Sequence, residues 1–311
     1  MSKLAINIVF FEEVHGLKSK IEFLCPLEIQ VIKKTRYNKE EMDITPEFIK
    51  RVFNKSKIDP KYMDVLTNPE ALDIFRVAFT SKTVDSDNNY ELYEYMGDVA
   101  ANASVVMYFY EAFPQLRCPR SINILNRLKI VHVSRESFSK IAEDLGFWPH
   151  IRYDADVAAE KPILKKSREA LLEDVFEAFV GATEIILIDA FGMVGVASQI
   201  IYNFIKPIFD AKDISFDPKD LYDAKTRLKE LFEIRKNVPN PLADRYGAPR
   251  YMDASSPATT VTLRFTNDKR LMFHGNGNSK QQSHKIAAQA AIDYFEKEGY
   301  RTEKRFNLFC T

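Results

Sequence analysis

Apolar residues recur at steps of three and four along most of the first two thirds of the chain. The pattern runs almost without a break from about residue 61 to residue 212, and it is typical of amphipathic helices that pack against one another. One stretch, AFVGATEIILIDAFGMVGVASQIIYNFI, is nearly all apolar but contains Glu184 and Asp189. Because a membrane span needs about 20 clean apolar residues, we interpret this stretch as a buried helix. The pattern therefore predicts an all-helical domain over 61–212.

Downstream of this domain the periodicity changes from that of helices to that of strands. Residues 223–235 have the pattern of an amphipathic helix, and the segment PNPLADRYGAP that follows is a turn-rich break. Val261, Leu263 and Phe265 alternate with polar residues, which predicts a strand, and a second strand and an alanine-rich helix come next. This order predicts a separate α+β module over 213–302, arranged α-β-β-β-α. The predicted fold class is thus mostly α.

The two ends of the chain match neither pattern. Residues 1–60 mix short apolar runs with lysines and are predicted to form an N-terminal extension of unassigned role, and residues 303–311 form a tail. Within the extension, Thr45 stands before Pro46 at the start of ITPEFIKRVFNK, as in a capped helix. The first apolar run has only about eight residues and is followed at once by acids, which makes a poor signal peptide. We therefore expect an intracellular protein, in the cytoplasm or the nucleus.

The charge balance gives no global sign of a nucleic-acid partner. The 311 residues include 44 Lys and Arg and 44 Asp and Glu, so the formal net charge is zero. The distribution is less even, because residues 220–300 contain 13 Lys and Arg but 10 Asp and Glu, a difference of +3. A neutral total is compatible with an acidic site in one domain and a mildly basic surface on the other.

The segment YELYEYMGD places three carboxylates on one side of a predicted helix. Glu91, Glu94 and Asp98 stand at positions i, i+3 and i+7, which share a face. Taken alone, such a stripe is most often a solvated acidic surface. Gly97 directly precedes the last acid, and we expect its missing side chain to admit a close approach of another backbone or of a ligand.

A second acidic pair changes that interpretation. Asp174 and Glu177 lie three residues apart in EALLEDVFEAFVGA, a strongly apolar helix, and Glu173 lies on a different face. Acids set in so much apolar surface indicate a pocket. Two carboxylates about 4 Å apart repel by about 4 kcal/mol at an effective dielectric of about 20, so a shared site would need cations. An all-oxygen set suits Mg²⁺ or Mn²⁺, but spacing alone leaves open whether the two helices converge.

Both motifs resemble those of the ribonuclease III family. NYELYEYMGD is similar to the family signature, usually written N-x-E-R-L-E-F-L-G-D, with matches at Glu91, Glu94, Gly97 and Asp98. LLEDVFEAFVGA resembles the second motif of that family, with matches at Asp174, Glu177, Ala178, Gly181 and Ala182. The motifs stand in the family's order and separation, and the resemblance covers about residues 70 to 210.

The resemblance implies a fold, a reaction and a set of catalytic residues. The family's helical domain pairs as a homodimer and cleaves double-stranded RNA with Mg²⁺, for which Mn²⁺ substitutes, leaving 5′ phosphates, 3′ hydroxyls and short 3′ overhangs. The acids implied to bind the metal are Glu94, Asp98, Asp174 and Glu177. Glu91 is implied to be a fifth catalytic acid that supports the site.

The chain also departs from the family pattern. Tyr95 replaces the usual Phe that packs across the dimer, and PQLRCPRSINILNR lacks the acid found there in bacterial members. A glycine-rich loop before the second motif is replaced by IRYDADVAAEKPILKKSR. These changes keep open the alternative of a protein of the same fold that binds or sequesters duplex RNA with weak or no cleavage. A second alternative is a different metal-dependent phosphohydrolase with a helical acidic pocket.

The segment GNGNSKQQSHKIAAQAA resembles the end of a double-stranded RNA-binding domain. From the residues alone it is either a phosphate site at a helix N-terminus or an ordinary turn and helix cap. The resemblance implies contacts to RNA from Gly275, Gly277, Ser279, Lys280, Gln281, His284 and Lys285. On the module's first helix it implies contacts from Thr226, Lys229 and Glu230. Because Gln281 stands where a second lysine is usual, we expect weak binding by this module alone.

Overall fold

The computed structural model describes residues 42–153, 168–233, 240–254 and 260–300. The predicted domain of packed helices is confirmed. Its α-helices are α1 (Pro46–Val52), α2 (Pro60–Leu66), α3 (Pro69–Ala78), α4 (Glu91–Ala112), α5 (Ile122–His132), α6 (Arg135–Asp144), α7 (Arg168–Phe191) and α8 (Val194–Asp210). Short 3₁₀ turns lie at Pro114–Leu116, Pro119–Ser121 and Trp148–His150. None of the helices in these described ranges is long and apolar enough to span a bilayer.

Helix α7 is the central helix of this domain, and the other helices pack around it. Its buried residues lie on all sides rather than on one stripe, which is the pattern of a helix surrounded by protein. The ring of Phe179 packs against those of Phe53, Phe75 and Phe147, at centroid distances of 5.4, 5.2 and 5.2 Å. Asp174 and Glu177 therefore project from a helix that has little contact with solvent.

Helix α1 belongs to the same core. The hydroxyl oxygen of Thr45 accepts a hydrogen bond from the backbone N–H of Phe48, so the predicted cap is present. Phe48, Ile49 and Val52 are buried in the helical domain. The sequence placed the start of the domain at residue 61, but apolar side chains from Ile44 onward join its core. The reason is that a seven-residue helix is too short to bury its apolar stripe without packing on another element.

The C-terminal module contains a three-stranded antiparallel sheet covered by a helix. Its strands are β1 (Pro249–Asp253), β2 (Thr260–Phe265) and β3 (Met272–Asn276), in the order β1-β2-β3. Helix α9 (Pro218–Leu221) precedes the module, and its Leu221 is buried in the core of the helical domain. The helices of the module are α10 (Ala224–Leu231), α11 (Pro241–Tyr246) and α12 (Lys280–Lys297). The alternation predicted for β2 is confirmed, because Val261, Leu263 and Phe265 are all buried.

One element of the module was not predicted. The segment taken as a turn-rich break contains helix α11, whose start is capped by the side chain of Asn240. Leu242 and Tyr246 of this helix are buried in the core of the module. Gly247 ends the helix with a φ of 75°, a conformation that favours glycine. Proline at N1, Asn before it and apolar residues four apart were the local signs of this helix.

Candidate functional site

Helices α4 and α7 cross with their backbones in contact. A Cβ atom on Gly97 would lie 1.7 Å from the carbonyl oxygen of Glu177, and one on Gly181 would lie 2.0 Å from that of Tyr93. Only glycine fits at these two positions. The close approach expected at Gly97 is thus confirmed, and the partner is the backbone of α7. The crossing places the acidic turn of α4 next to the acidic turn of α7.

Tyr90 connects the two acidic motifs. Its side chain is 1% exposed, and its Oη donates a hydrogen bond of 3.0 Å to Oδ2 of Asp174. Burial and the nearby Asp174 carboxylate raise the pKa of the phenol, so it remains a proton donor. The sequence motifs did not predict a role for this residue. Its signal was its position, four residues before Glu94 and therefore on the same face of α4.

Glu177 lies at the centre of the acidic cluster. It is 9% exposed, and its pKa is raised to about 8. Burial is the largest cause, followed by the negative charges of Asp98, Glu173, Glu94 and Asp174. Because these charges come from both helices, the convergence that spacing left open is present in the fold. A proton or a cation at this place relieves the repulsion.

The cluster suits a hard cation by its chemistry, although its side chains are not yet arranged as ligands. Carboxylate oxygens are the donors that Mg²⁺ prefers, and Glu94, Asp98, Asp174 and Glu177 could supply them. Within the described ranges, no group of three or more His, Cys, Asp or Glu residues has the arrangement of a metal site. Asp98 is exposed, and its carboxylate accepts a hydrogen bond from the side chain of Asn102. Side-chain rotations would therefore have to accompany binding of an ion.

Two further acids, Glu91 and Glu173, are each paired with a cation. Glu91 forms an ion pair with Lys82, and its side chain is half exposed. Glu173 forms one with Arg135, at the start of α6. Helical spacing predicts that Glu173 lies on a different face, yet its charge contributes to the raised pKa of Glu177. Neither Lys82 nor Arg135 is predicted by a local pattern, because each lies on a different element from the acid that it pairs with.

A row of apolar side chains on α4 faces solvent. Leu92 is 68% exposed, Tyr95 is 73% exposed and Val99 is 61% exposed. They lie at i, i+3 and i+7, one position along from each acid of the signature motif, so the acidic face and the apolar face are adjacent. Exposed apolar patches of this kind mark sites of protein association.

In the C-terminal module, several residues predicted to contact RNA form the start of α12. Ser279 caps the helix by accepting a hydrogen bond from the backbone N–H of Gln282. Gly275 packs against the helix backbone, where a Cβ would lie 1.9 Å from the carbonyl oxygen of Ser283. The backbone N–H of Gly277 donates to the hydroxyl of Ser283. These contacts give three of the predicted residues structural roles.

The remaining predicted residues differ in what they contact. Gln281, Lys285 and Lys229 are exposed, and Glu230 is half-buried. The Thr226 hydroxyl donates to the carboxylate of Asp223, within the cap of α10. Lys280 and His284 both contact one carboxylate, that of Asp253 at the end of β1.

Comparisons with known proteins locate similar sequences. A family model described as the ribonuclease III domain matches residues 91–185, the stretch that contains both acidic motifs. A protein named for ribonuclease 3 in Frog virus 3 (isolate Goorha) is 35% identical, over 79% of this chain and 62% of its own. One so named in Invertebrate iridescent virus 6 is 34% identical, over 75% of this chain and 81% of its own. The chain thus spans less than two thirds of the Frog virus 3 protein.

Among solved structures, the chain is similar to the nuclease domain of ribonuclease III from Campylobacter jejuni. It is 21% identical, covers 52% of this chain and 99% of that one, and has a TM-score of 0.38.

Proposed function

Because this chain belongs to the ribonuclease III family, a family of endoribonucleases, we propose that it cleaves double-stranded RNA with the help of a divalent metal ion. Its products then carry 5′ phosphates, 3′ hydroxyls and short 3′ overhangs. The observation that supports this most directly is the position of Glu177, buried among acids of both motifs with its pKa raised to about 8. Such a site favours the binding of positive charge.

The acids that hold Mg²⁺ or Mn²⁺ in this proposal are Glu94, Asp98, Asp174 and Glu177. A bound ion supplies two effects in phosphodiester hydrolysis, because it activates water and stabilises charge on the phosphate oxygens. The chain's own contribution is to fix the carboxylates. The Tyr90 phenol orients Asp174 by the hydrogen bond described above.

Glu91 has a supporting role in this proposal. Its ion pair with Lys82 holds the start of α4 at the edge of the site. Lys82 is exposed and also provides a positive charge beside Glu91. A negatively charged backbone approaching an acidic site needs such neighbouring cations.

A second copy of the chain is the partner proposed for the apolar face of α4. Leu92, Tyr95 and Val99 would meet their equivalents across a two-fold axis, as in an isologous contact. Since the acids lie on the adjacent face of the same helix, the pairing would fix the distance between two active sites. Two sites at a fixed distance explain how both strands of a duplex are cut with a constant offset.

The C-terminal module is the proposed binding surface for duplex RNA. Lys280, Gln281 and Lys285 lie at the start of α12, and Lys229 lies on α10. A module of this kind recognises the shape of A-form RNA over about 16 base pairs rather than its sequence.

The proposal is tested by incubating long duplex RNA with the protein and Mg²⁺, beside the variants Glu177→Gln and Glu184→Gln. Glu184 is a matched control, because it is a half-buried acid on the same helix, outside the cluster. We expect short discrete duplexes from the wild type and from Glu184→Gln, and intact but bound RNA with Glu177→Gln. Removal of the 5′ phosphate by a phosphatase before end labelling checks the end chemistry.

Two other outcomes point elsewhere. Binding without cleavage by the wild type favours a sequestering protein of the same fold. If the wild type neither binds nor cleaves the RNA, the proposal is contradicted and a phosphohydrolase with another substrate is favoured.

A further inference from the structure

Two side chains near the start of α12, those of Lys280 and His284, are held by an acid of the same chain. Asp253 ends the edge strand β1, and its carboxylate contacts both Lys280 and His284. Lys280 forms an ion pair with Oδ2, while Nε2 of His284 donates a hydrogen bond of 2.7 Å to Oδ1. The Asp253 carboxylate is thus the interaction partner of both side chains.

The neighbours of His284 fix this arrangement. The imidazole stacks on the ring of Tyr251, with centroids 4.7 Å apart and planes 9° apart. Nζ of Lys225 donates a hydrogen bond of 3.5 Å to Nδ1 of the same imidazole. Since Nδ1 accepts and Nε2 donates, the imidazole is in one defined tautomer. Tyr251 and Asp253 lie two residues apart on β1, which places both side chains on the face that meets α12.

The charges show what the carboxylate does to this surface. The hydrogen bond from Lys280 is the first cause that holds the pKa of Asp253 below its usual range, and that from His284 is the second. Lys280 remains 59% exposed along its side chain, so a phosphate from outside has access to it. A phosphate and Asp253 would compete for the same ammonium group, because each offers anionic oxygens at hydrogen-bond distance.

We propose that Asp253 acts as an internal competitor for the RNA backbone at Lys280 and so sets a low affinity of this module for duplex RNA. This inference rests on the proposed function, because it takes double-stranded RNA as the ligand. Binding would exchange the bond from Lys280 to Asp253 for one from Lys280 to a phosphate oxygen. The binding free energy gained at Lys280 is then the difference between two similar contacts, and not the full free energy of a new contact to phosphate.

The test compares the full chain carrying Asp253→Asn with the wild type, both on the Glu177→Gln background so that the RNA stays intact. Asparagine keeps the acceptor for His284 and removes only the charge. The matched control is Asp293→Asn, an exposed acid on α12 itself, which changes the net charge equally. Affinity for a duplex of about 20 base pairs is measured by fluorescence anisotropy over a range of salt concentrations.

We expect Asp253→Asn to bind about threefold to tenfold more tightly than the parent, with a salt slope steeper by up to about 1. Asp293→Asn should bind like the parent, and adding Lys280→Gln to Asp253→Asn should abolish the gain. An unchanged or weaker affinity of Asp253→Asn, with RNA still bound, would overturn the inference and leave the proposed RNA binding standing. If no variant binds RNA at low salt, both the inference and the proposed RNA binding are overturned. If Asp253→Asn lowers the melting temperature, Asp253→Ser is measured in its place under the same criteria.

Discussion

The phenol of Tyr90 and the carboxylate of Asp174 are joined by a buried hydrogen bond, although the residues lie 84 positions apart. The bond helps to orient the Asp174 carboxylate from outside α7. It also ties the first turn of α4 to the acidic turn of α7. Tyr90 is therefore a positioning residue for the proposed metal site.

Replacing Tyr90 by Phe should weaken metal binding without unfolding the chain. Loss of a hydrogen bond to a metal-binding carboxylate typically costs 10-fold to 100-fold in metal affinity, and we expect about 10-fold here. Titration of Mn²⁺ by calorimetry measures the affinity directly, and the Mg²⁺ concentration for half-maximal cleavage gives a second value. Tyr93→Phe, a half-buried tyrosine on the same helix, is the control. Equal metal affinities for Tyr90→Phe and the wild type would contradict the positioning role.

The contact between α4 and α7 should not tolerate even one added methyl group. In Gly97→Ala the new Cβ would overlap the carbonyl oxygen of Glu177. The overlapping atoms belong to the backbone of α7, so no side-chain rotation can relieve the clash. We expect a loss of about 3 kcal/mol or more in the free energy of unfolding, measured in urea. Gly181→Ala should behave in the same way.

Gly195 provides the matched control for these substitutions. It lies near the start of α8, and a Cβ there would meet nothing within 4 Å. Gly195→Ala should leave stability unchanged or raise it by up to about 1 kcal/mol, because alanine restricts the unfolded chain. A Gly97→Ala variant as stable as Gly195→Ala would refute the contact.

The raised pKa of Glu177 predicts a pH-dependent gain in stability for the metal-free variant Glu177→Gln. In the unfolded chain the carboxyl ionises near its usual pKa of 4.5, whereas in the folded chain it ionises near 8. Between these values the folded protein must retain a proton that the unfolded protein loses, so the wild type loses stability as the pH rises from about 4.5 to 8. Glutamine never ionises and escapes this loss.

We expect the stability difference between Glu177→Gln and the wild type to grow by about 2 to 4 kcal/mol from pH 5 to pH 8. Chemical unfolding in the presence of a chelator measures it at each pH. Glu169→Gln, an exposed acid on the same helix, should give a difference that stays flat. A flat difference for Glu177→Gln as well would show that neither burial nor the neighbouring acids raise the pKa of Glu177 in the folded chain.

The apolar face of α4 should control the association state. Tyr95→Ser together with Val99→Ser removes apolar surface that is exposed in the single chain and covered in the proposed dimer. Sedimentation should then change from the mass of a dimer to the 35.9 kDa of one chain. The control is Ile122→Ser with Ile130→Ser, two similarly exposed residues on α5. A wild type that sediments as one chain at all concentrations would contradict the proposed pairing.

Local features of the sequence were sufficient to predict the helical domain, the strand β2 and the acids of each motif. Helix periodicity places Glu91, Glu94 and Asp98 on one face of α4 wherever that helix lies in the fold. In the same way, the alternation of Val261, Leu263 and Phe265 specifies which face of β2 is buried. These properties depend on neighbours within about one turn or one strand, so the chain by itself determines them.

Only the tertiary structure decided how the pieces meet. The contact between Gly97 and Gly181 brings the two acidic faces together, and the hydrogen bond from Tyr90 orients one acid of α7. The packing of α1 into the helical core depends on distant partners as well, as does the hold of Asp253 on Lys280. Each of these contacts joins residues far apart in the chain. Their energies arise from burial and charge at short range, which no local spacing encodes.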